Sequence, residues 1–403
     1  MGVVRGFIVR CGGSKPFQAS LVNGKALGTF ASVEEARKAI AVTMGTPAQL
    51  VADPNLTLIE RYTVQSVDLP APKSTYALGI TPQNIGFLSR LTASSGALGE
   101  TLTIGNVTDP RQLITLNQSN FARQKVFFGD ANSQRVVRAT GDVLPPFIDF
   151  DVLPTGFTGR TPYWAYDTTT QTLWASGTRD YSTNAGSLVQ INPDTGEEIR
   201  SFSLTVGALT YAPANVVALA GKLYVTGNYY DGVTLRGRLF KVDAGSGTIN
   251  ASSADQTPLG AVASDGAGNI WVAAPSNTAG SGKLLRIDTA TLATVTNIVV
   301  GGATFSNMPW ITIQGLHVYV SDYGSFGRGI WHCTTGGTLT QYRSFGATVG
   351  SQVGMTMFDG TNLWAADTYG RVVRKLNWLD IATDLVTTPV NGSPWGLCSV
   401  SPR

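Results

Sequence analysis

One short strand is written six times into this chain, and no other feature restricts its fold so strongly. The copies are Lys125-Val-Phe127-Phe, Thr172-Leu-Trp174-Ala, Lys222-Leu-Tyr224-Val, Asn269-Ile-Trp271-Val, His317-Val-Tyr319-Val and Asn362-Leu-Trp364-Ala. Each carries an aromatic residue at one slot, at successive separations of 47, 50, 47, 48 and 45 residues. Repetition on this scale marks a unit that cannot bury its apolar face alone and stacks on its neighbours instead. A bulky ring at the slot can fill the space between adjacent sheets, burying about 150–250 Å² each time.

The strand that follows also recurs, as Val136-Val-Arg138, Leu188-Val-Gln190, Leu239-Phe-Lys241, Leu284-Leu-Arg286, Ile330-Trp-His332 and Val372-Val-Arg374. Turns such as Asn192-Pro-Asp-Thr-Gly196 and Asp243-Ala-Gly-Ser-Gly247 then lead into a fourth strand, as at Glu198 to Leu204. Four strands in about 47 residues make the blade of a β-propeller. A first strand opens each blade, announced by Pro162, Pro213, Pro258, Pro309 and Pro394, with Gly354-Met-Thr-Met as an unmarked equivalent. The strand at Pro394 to Val400 has no blade after it, and the blade at Lys125 has none of these strands before it. The two halves complete each other. The expectation is a mainly β fold: a six-bladed β-propeller over residues 125–403, closed by the C-terminal strand beside the strand at 125.

Within this region Pro258 to Ala274, with its Asp265-Gly266 turn, and Leu363-Trp-Ala-Ala-Asp367-Thr-Tyr-Gly-Arg371-Val-Val resemble propellers of the NHL and streptogramin-lyase-like group. The resemblance covers about 280 residues and implies the fold, which hosts unrelated activities. A lyase of that kind would need a histidine base near the funnel, and neither His317 nor His332 lies on a proline-led strand.

Residues 6–45 read as a separate module. Phe17-Gln-Ala-Ser-Leu-Val alternates with period two, Asn23-Gly24 signals a hairpin turn, and Lys25 to Phe30 returns as the next strand. Ser32-Val-Glu-Glu35 forms a capping box that opens a helix running to Met44, where Gly45 ends it. The stretch Leu27-Gly28-Thr29-Phe30 with Ser32 to Ala39 resembles the three-strand-plus-helix DNA-binding domains of the Apetala type, found also at the start of phage integrases. That likeness implies a sheet laid in a DNA groove, although Ala19 and Ser20 offer little to read base edges. The expected division is a module at 1–50, a linker and β-rich connector at 51–124 around Leu69-Pro-Ala-Pro-Lys73, and the propeller at 125–403.

Charge separates these parts. The chain carries +3 overall, but residues 1–50 hold six basic and two acidic side chains, +4, leaving the remainder slightly negative. Any attraction for nucleic acid belongs to the first fifty residues, with Arg5, Arg10, Lys15 and Lys25 as candidate contacts. Apolar residues make up 43% of the chain, which excludes disorder, and no apolar run approaches the ~20 residues of a membrane span. The start of the sequence, broken by Arg5, Gly6 and Arg10, lacks the pattern of a signal peptide. Cys11, Cys333 and Cys398 lie too far apart in sequence for a thiolate zinc motif.

Little in the sequence points to catalysis. His332 occupies the slot held by Arg138, Lys241, Arg286 and Arg374, and His317 that held by Lys125, Lys222 and Asn269, so both read as structural. Asp167, Asp265 and Asp359, and Asp130, Asp322 and Asp367, recur at strand ends; a ring of carboxylates could hold calcium, but Asp is also the ordinary residue of such turns, and the turn reading is preferred. Trp164, Trp310 and Trp395 stand at the starts of first strands, where they could line the funnel and stack on a sugar or peptide. The expectation is therefore a protein without catalytic residues, cofactor or metal. It acts as a structural and interaction protein of a phage virion, attached to capsid or tail, with other virion subunits as partners and an outward platform for a host-surface ligand. A cytoplasmic nucleic-acid-binding regulator is the first alternative, and a lyase-like enzyme the second.

Overall fold

A computed structural model describes residues 2–10, 17–21, 26–30, 51–52, 59–66, 74–83, 85–92, 95–104, 110–116, 124–130, 135–141, 147–153, 163–180, 184–193, 197–275, 282–299, 310–323, 328–345, 353–359, 361–390 and 392–400. They fall into two compact units, Met1–Ala71 and Pro72–Arg403. Among the described residues no helix is long and apolar enough to cross a membrane.

The first unit is an antiparallel sheet in the order Ala26–Phe30, Phe17–Leu21, Gly2–Arg10, Ile59–Ser66, Val51–Ala52. The predicted hairpin is present, with Gln18 opposite Thr29. Its described residues are all strand; the predicted helix over 32–44 falls outside them. The module does not stop at residue 50. Ile59–Ser66 pairs with Gly2–Arg10 over eight positions, because an alternating strand needs a partner on each edge and the hairpin covers only one.

The second unit is a β-propeller. All six repeats read from the sequence are present as antiparallel sheets, and a seventh joins them. Blade 1 contains Ser74–Ile80, Gly86–Thr92 and Leu98–Ile104; blade 2 Pro110–Leu116, Gln124–Asp130, Arg135–Gly141 and Phe147–Leu153; blade 3 Tyr163–Asp167, Thr172–Asp180, Ala185–Ile191 and Glu198–Phe202. Blade 4 holds Leu209–Leu219, Lys222–Tyr230, Leu235–Asp243 and Ile249–Ser252, with Leu204–Val206 added before them; blade 5 Val262–Ser264, Asn269–Ala274, Lys283–Asp288 and Thr294–Val299. Blade 6 holds Trp310–Gln314, His317–Tyr323, Arg328–Thr334 and Leu339–Ser344; blade 7 Val353–Phe358, Leu363–Asp367, Val372–Leu376 and Asp384–Pro389.

The C-terminal strand Ser393–Val400 closes the ring as expected, but beside a different neighbour. It pairs with Ser74–Ile80 and so completes blade 1, not the blade that contains Lys125. The place beside Lys125 is taken by Pro110–Leu116, which pairs with Gln124–Asp130. The segment expected as a connector thus supplies three strands of blade 1 and the first strand of blade 2. The innermost strands touch in unbroken order through blades 1 to 7 and back to 1, which makes the ring sevenfold. Among the described residues the innermost strands of blades 1 and 2 have no ladder partner on their inner edge, and an edge is where a proline can be tolerated; Pro394 and Pro110 lie on these strands.

The core lies in the seams between blades. Trp174 of blade 3 packs with Leu204, Tyr211 and Phe240 of blade 4. Tyr224 of blade 4 packs with Leu259, Ile270 and Ile287 of the next. Trp271, Tyr319 and Trp364 repeat the arrangement at the seams between blades 5 and 6, 6 and 7, and 7 and 1. All five aromatic rings are 0–3% exposed. The slot that defines the repeat is therefore an inter-blade wedge.

Candidate functional site

The third-strand slot held in sequence by Lys241 and Arg286 faces these wedges. Lys241 lies opposite Tyr224 in the ladder and Arg286 opposite Trp271. Their side chains cross the seam: Lys241 Nζ donates to the Thr289 carbonyl at 2.8 Å, and Arg286 Nη1 to the Thr335 carbonyl at 3.0 Å. In blade 7 the register corrects the reading of the sequence, because Trp364 stands opposite Lys375 and Arg374 stands opposite Ala365. Lys375 lies over the Trp364 ring at 5.7 Å, while Arg374 binds Asp367 and Asp384 at 2.7 and 2.8 Å. These charges hold the ring together; they do not form a surface stripe.

The recurrent aspartates are likewise engaged in their own turns. Asp167 Oδ2 accepts from the Thr170 N–H at 2.8 Å, and its Oδ1 from the Gly221 N–H of the next blade at 3.0 Å. Asp265 caps Ala267 and Asn269; Asp359 caps Thr361 and Asn362 and accepts the Trp364 indole N–H at 2.7 Å. Asp367 accepts the Gly370 N–H at 2.9 Å beside its ion pair with Arg374. Of the remaining two, Asp322 is buried, and Asp130 ends the second strand of blade 2.

The funnel aromatics divide. Trp164 is buried at 7% exposure, whereas Trp310 and Trp395 are half-buried. The ring that meets Trp310 is Tyr163, which the sequence reading did not single out: their centroids are 6.2 Å apart and their planes 18° from parallel. They begin the innermost strands of blades 3 and 6, three places apart in a ring of seven, the widest separation available. The contact therefore spans the centre of the propeller at the end where the innermost strands start. Trp395, near the start of the innermost strand of blade 1, belongs to the same end. Tyr163 follows Pro162 directly, as Trp310 follows Pro309 and Trp395 follows Pro394, and that adjacency was the available signal.

The two histidines, assigned to separate repeat slots, meet. His317 Nδ1 is 2.8 Å from His332 Nε2, and the His332 ring stacks on Tyr319 at 4.7 Å. The ladder sets His317 opposite Thr334 and Tyr319 opposite His332, so the pair is a same-face diagonal across one hairpin, within reach of long side chains. Trp378 of blade 7 closes edge-on against His317 at 5.1 Å, and its carbonyl accepts the Tyr319 hydroxyl. Burial, and then the neighbouring His317, push His332 down from the usual imidazole range to about 4. The other thiol-bearing and basic candidates are simply placed. Cys333 is buried as a free thiol, its pKa raised by burial. Arg5 and Arg10 both lie on the Gly2–Arg10 strand of the first unit. Lys15 and Lys25 lie outside the described residues.

No protein-family model matches this sequence, and no curated protein matches it. Solved structures do. A protein of Bacteroides uniformis, provisionally assigned as a 6-phosphogluconolactonase, superposes with a TM-score of 0.59 at 15% identity over 82% of this chain and 99% of its own. A Bacteroides fragilis protein with the same provisional assignment gives 0.58 at 14%, over 83% of this chain and 100% of its own. The dihydro-heme d1 dehydrogenase NirN gives 0.53 at 11%, over 92% of this chain and 86% of its own. Likeness at this identity shows the propeller fold and does not select one group of propellers.

Proposed function

We propose that this chain is a non-enzymatic interaction protein whose propeller is a binding platform, carried on a phage particle as a capsid- or tail-attached component. The observation that carries the platform reading is the aromatic end of the ring, where Tyr163 and Trp310 face each other across the centre and Trp395 lies near the start of the innermost strand of blade 1. Half-buried aromatic rings at the mouth of a ring offer large, rigid contact area at low entropic cost. The groups that sequence offered for chemistry favour the same reading, since the aspartates and third-strand bases described above hold turns and seams. The virion setting rests on composition, a chain poor in charge at 14%.

Two measurements test it. Mass spectrometry of purified particles from the source should find peptides of this chain in fixed proportion to the major subunits; their absence overturns the virion placement. Binding of the purified chain to host-surface glycans and proteins should fall by at least tenfold, about 1.4 kcal/mol or more, on Trp310→Ala. Binding that ignores this change removes the aromatic end from the proposal, and turnover of a lactone substrate by the purified chain would refute the non-enzymatic reading.

A further inference from the structure

The chain has two histidines in 403 residues, and the fold brings their ring nitrogens to 2.8 Å in the seam between blades 6 and 7. We propose that His317 and His332 form a binding site for a late first-row divalent metal ion, Zn²⁺ or Cu²⁺, through His317 Nδ1 and His332 Nε2. Imidazole nitrogen is a preferred ligand of both ions.

The geometry is close to what two bonds to one ion require. Metal–nitrogen bonds of about 2.0–2.1 Å at a tetrahedral angle set the nitrogens about 3.3 Å apart, so the rings need to part by roughly half an ångström. In the metal-free pair a single proton lies between the two nitrogens, donated by one ring to the lone pair of the other. The ion takes the place of that proton, which moves by way of solvent to the other nitrogen of the ring that held it, so that both ligating rings stay neutral. His332 is held for this by burial at 3% exposure and by its stack on Tyr319. His317 is half-buried at the strand start, which leaves the outer coordination positions to water. The ligating form of each ring is the neutral one.

The surroundings also set the strength. Among the described residues no third His, Cys, Asp or Glu joins the pair, so the site is open and two-legged. Ligation through Nε2 leaves the remaining proton of His332 on Nδ1, a buried atom with no hydrogen-bond partner among the described residues. A ligating histidine without an outer partner binds more weakly, about 10–100-fold. The affinity expected is therefore micromolar, that of an exchangeable site.

The test is calorimetric titration of the full chain, without a histidine tag, with ZnCl₂ and separately with CuSO₄. A Cys11→Ser background removes one competing thiol. The expected result is one ion per chain, with His317→Gln and His332→Gln each weakening binding at least tenfold. His332→Gln alters a buried position and can harm folding; His317→Gln, at a half-buried one, supplies the decisive comparison, checked by circular dichroism. Thermal melting gives a second readout, with added metal raising the midpoint of the parent and leaving that of His317→Gln unchanged. No saturable binding up to about 1 mM, or binding equal in parent and His317→Gln, overturns the proposal.

Discussion

The indole N–H of Trp174 donates to the backbone carbonyl of Ala244 at 3.2 Å, tying blade 3 to a turn of blade 4. Tyr224 reaches the equivalent carbonyl of Thr289 one seam further on. Side chains on the third strands add to the same staples, as Lys241 does at Thr289. Replacing Trp174 with Phe removes the indole donor, while the Thr172 hydroxyl still donates to the same carbonyl at 3.2 Å. Chemical denaturation should report a loss of about 1–3 kcal/mol, from the lost hydrogen bond and the space left by the smaller ring.

Closure supplies a second expectation. Gly79 pairs with Pro394 where the chain's end meets its first blade, and a methyl group at Gly79 would lie 2.3 Å from the Ser393 carbonyl oxygen. Gly79→Ala should cost about 1–3 kcal/mol by overpacking. Removing Ser393 onward should go further and give aggregated protein in size-exclusion chromatography, because Ser74–Ile80 is left as an uncovered edge.

Asp367 is 1% exposed and bound by Arg374, whose other side reaches Asp384. Asp367→Ala removes the buried partner while Arg374 keeps the outer one. The expected loss is about 3 kcal/mol, at the low end for a broken buried pair. Asp384→Ala, at a more exposed carboxylate, should cost less, and thermal melting of both variants gives the order.

Tyr211 carries a pH signature with a geometric cause. Burial, and then its hydrogen bond to Asp255, push the phenol up from 10 to about 12. The folded state holds the proton more tightly than the unfolded chain, so the stabilisation is complete below pH 10 and is lost as pH rises through about 12. Burial also raises Tyr224 and Tyr319, so ultraviolet titration should show one fewer late-forming tyrosinate in Tyr211→Phe than in the parent chain. A Tyr211 that ionises with the exposed tyrosines would contradict this.

The fold was legible because its repeat is carried by a single large residue per blade, and the wedge positions Trp174, Tyr224, Trp271, Tyr319 and Trp364 needed no long-range information. The seventh blade was harder to see. Ser74-Thr-Tyr76-Ala has the spelling of the repeat, but the strand that completes its blade lies at the other end of the sequence. Pro110 announces a first strand as other prolines do, yet the gap from Leu116 to Gln124 is longer than the turns elsewhere, and that hid its membership. Register explains two smaller differences. Lys375, not Arg374, faces Trp364, and the diagonal between His317 and His332 follows only once the hairpin is aligned residue by residue. The pairing of Tyr163 with Trp310 depends on the diameter and number of blades, which no local pattern encodes.

Pairing Ser74–Ile80 with Ser393–Val400 in one sheet also imposes a timetable on biosynthesis. Translation delivers Ala77 some 320 residues before its ladder neighbour Leu397. Six sheets can assemble on the ribosome as they emerge, while the earliest one waits for Ser393–Val400. A stalled or prematurely ended message therefore yields a nearly complete but unsealed product, the species on which folding helpers and proteases should act first.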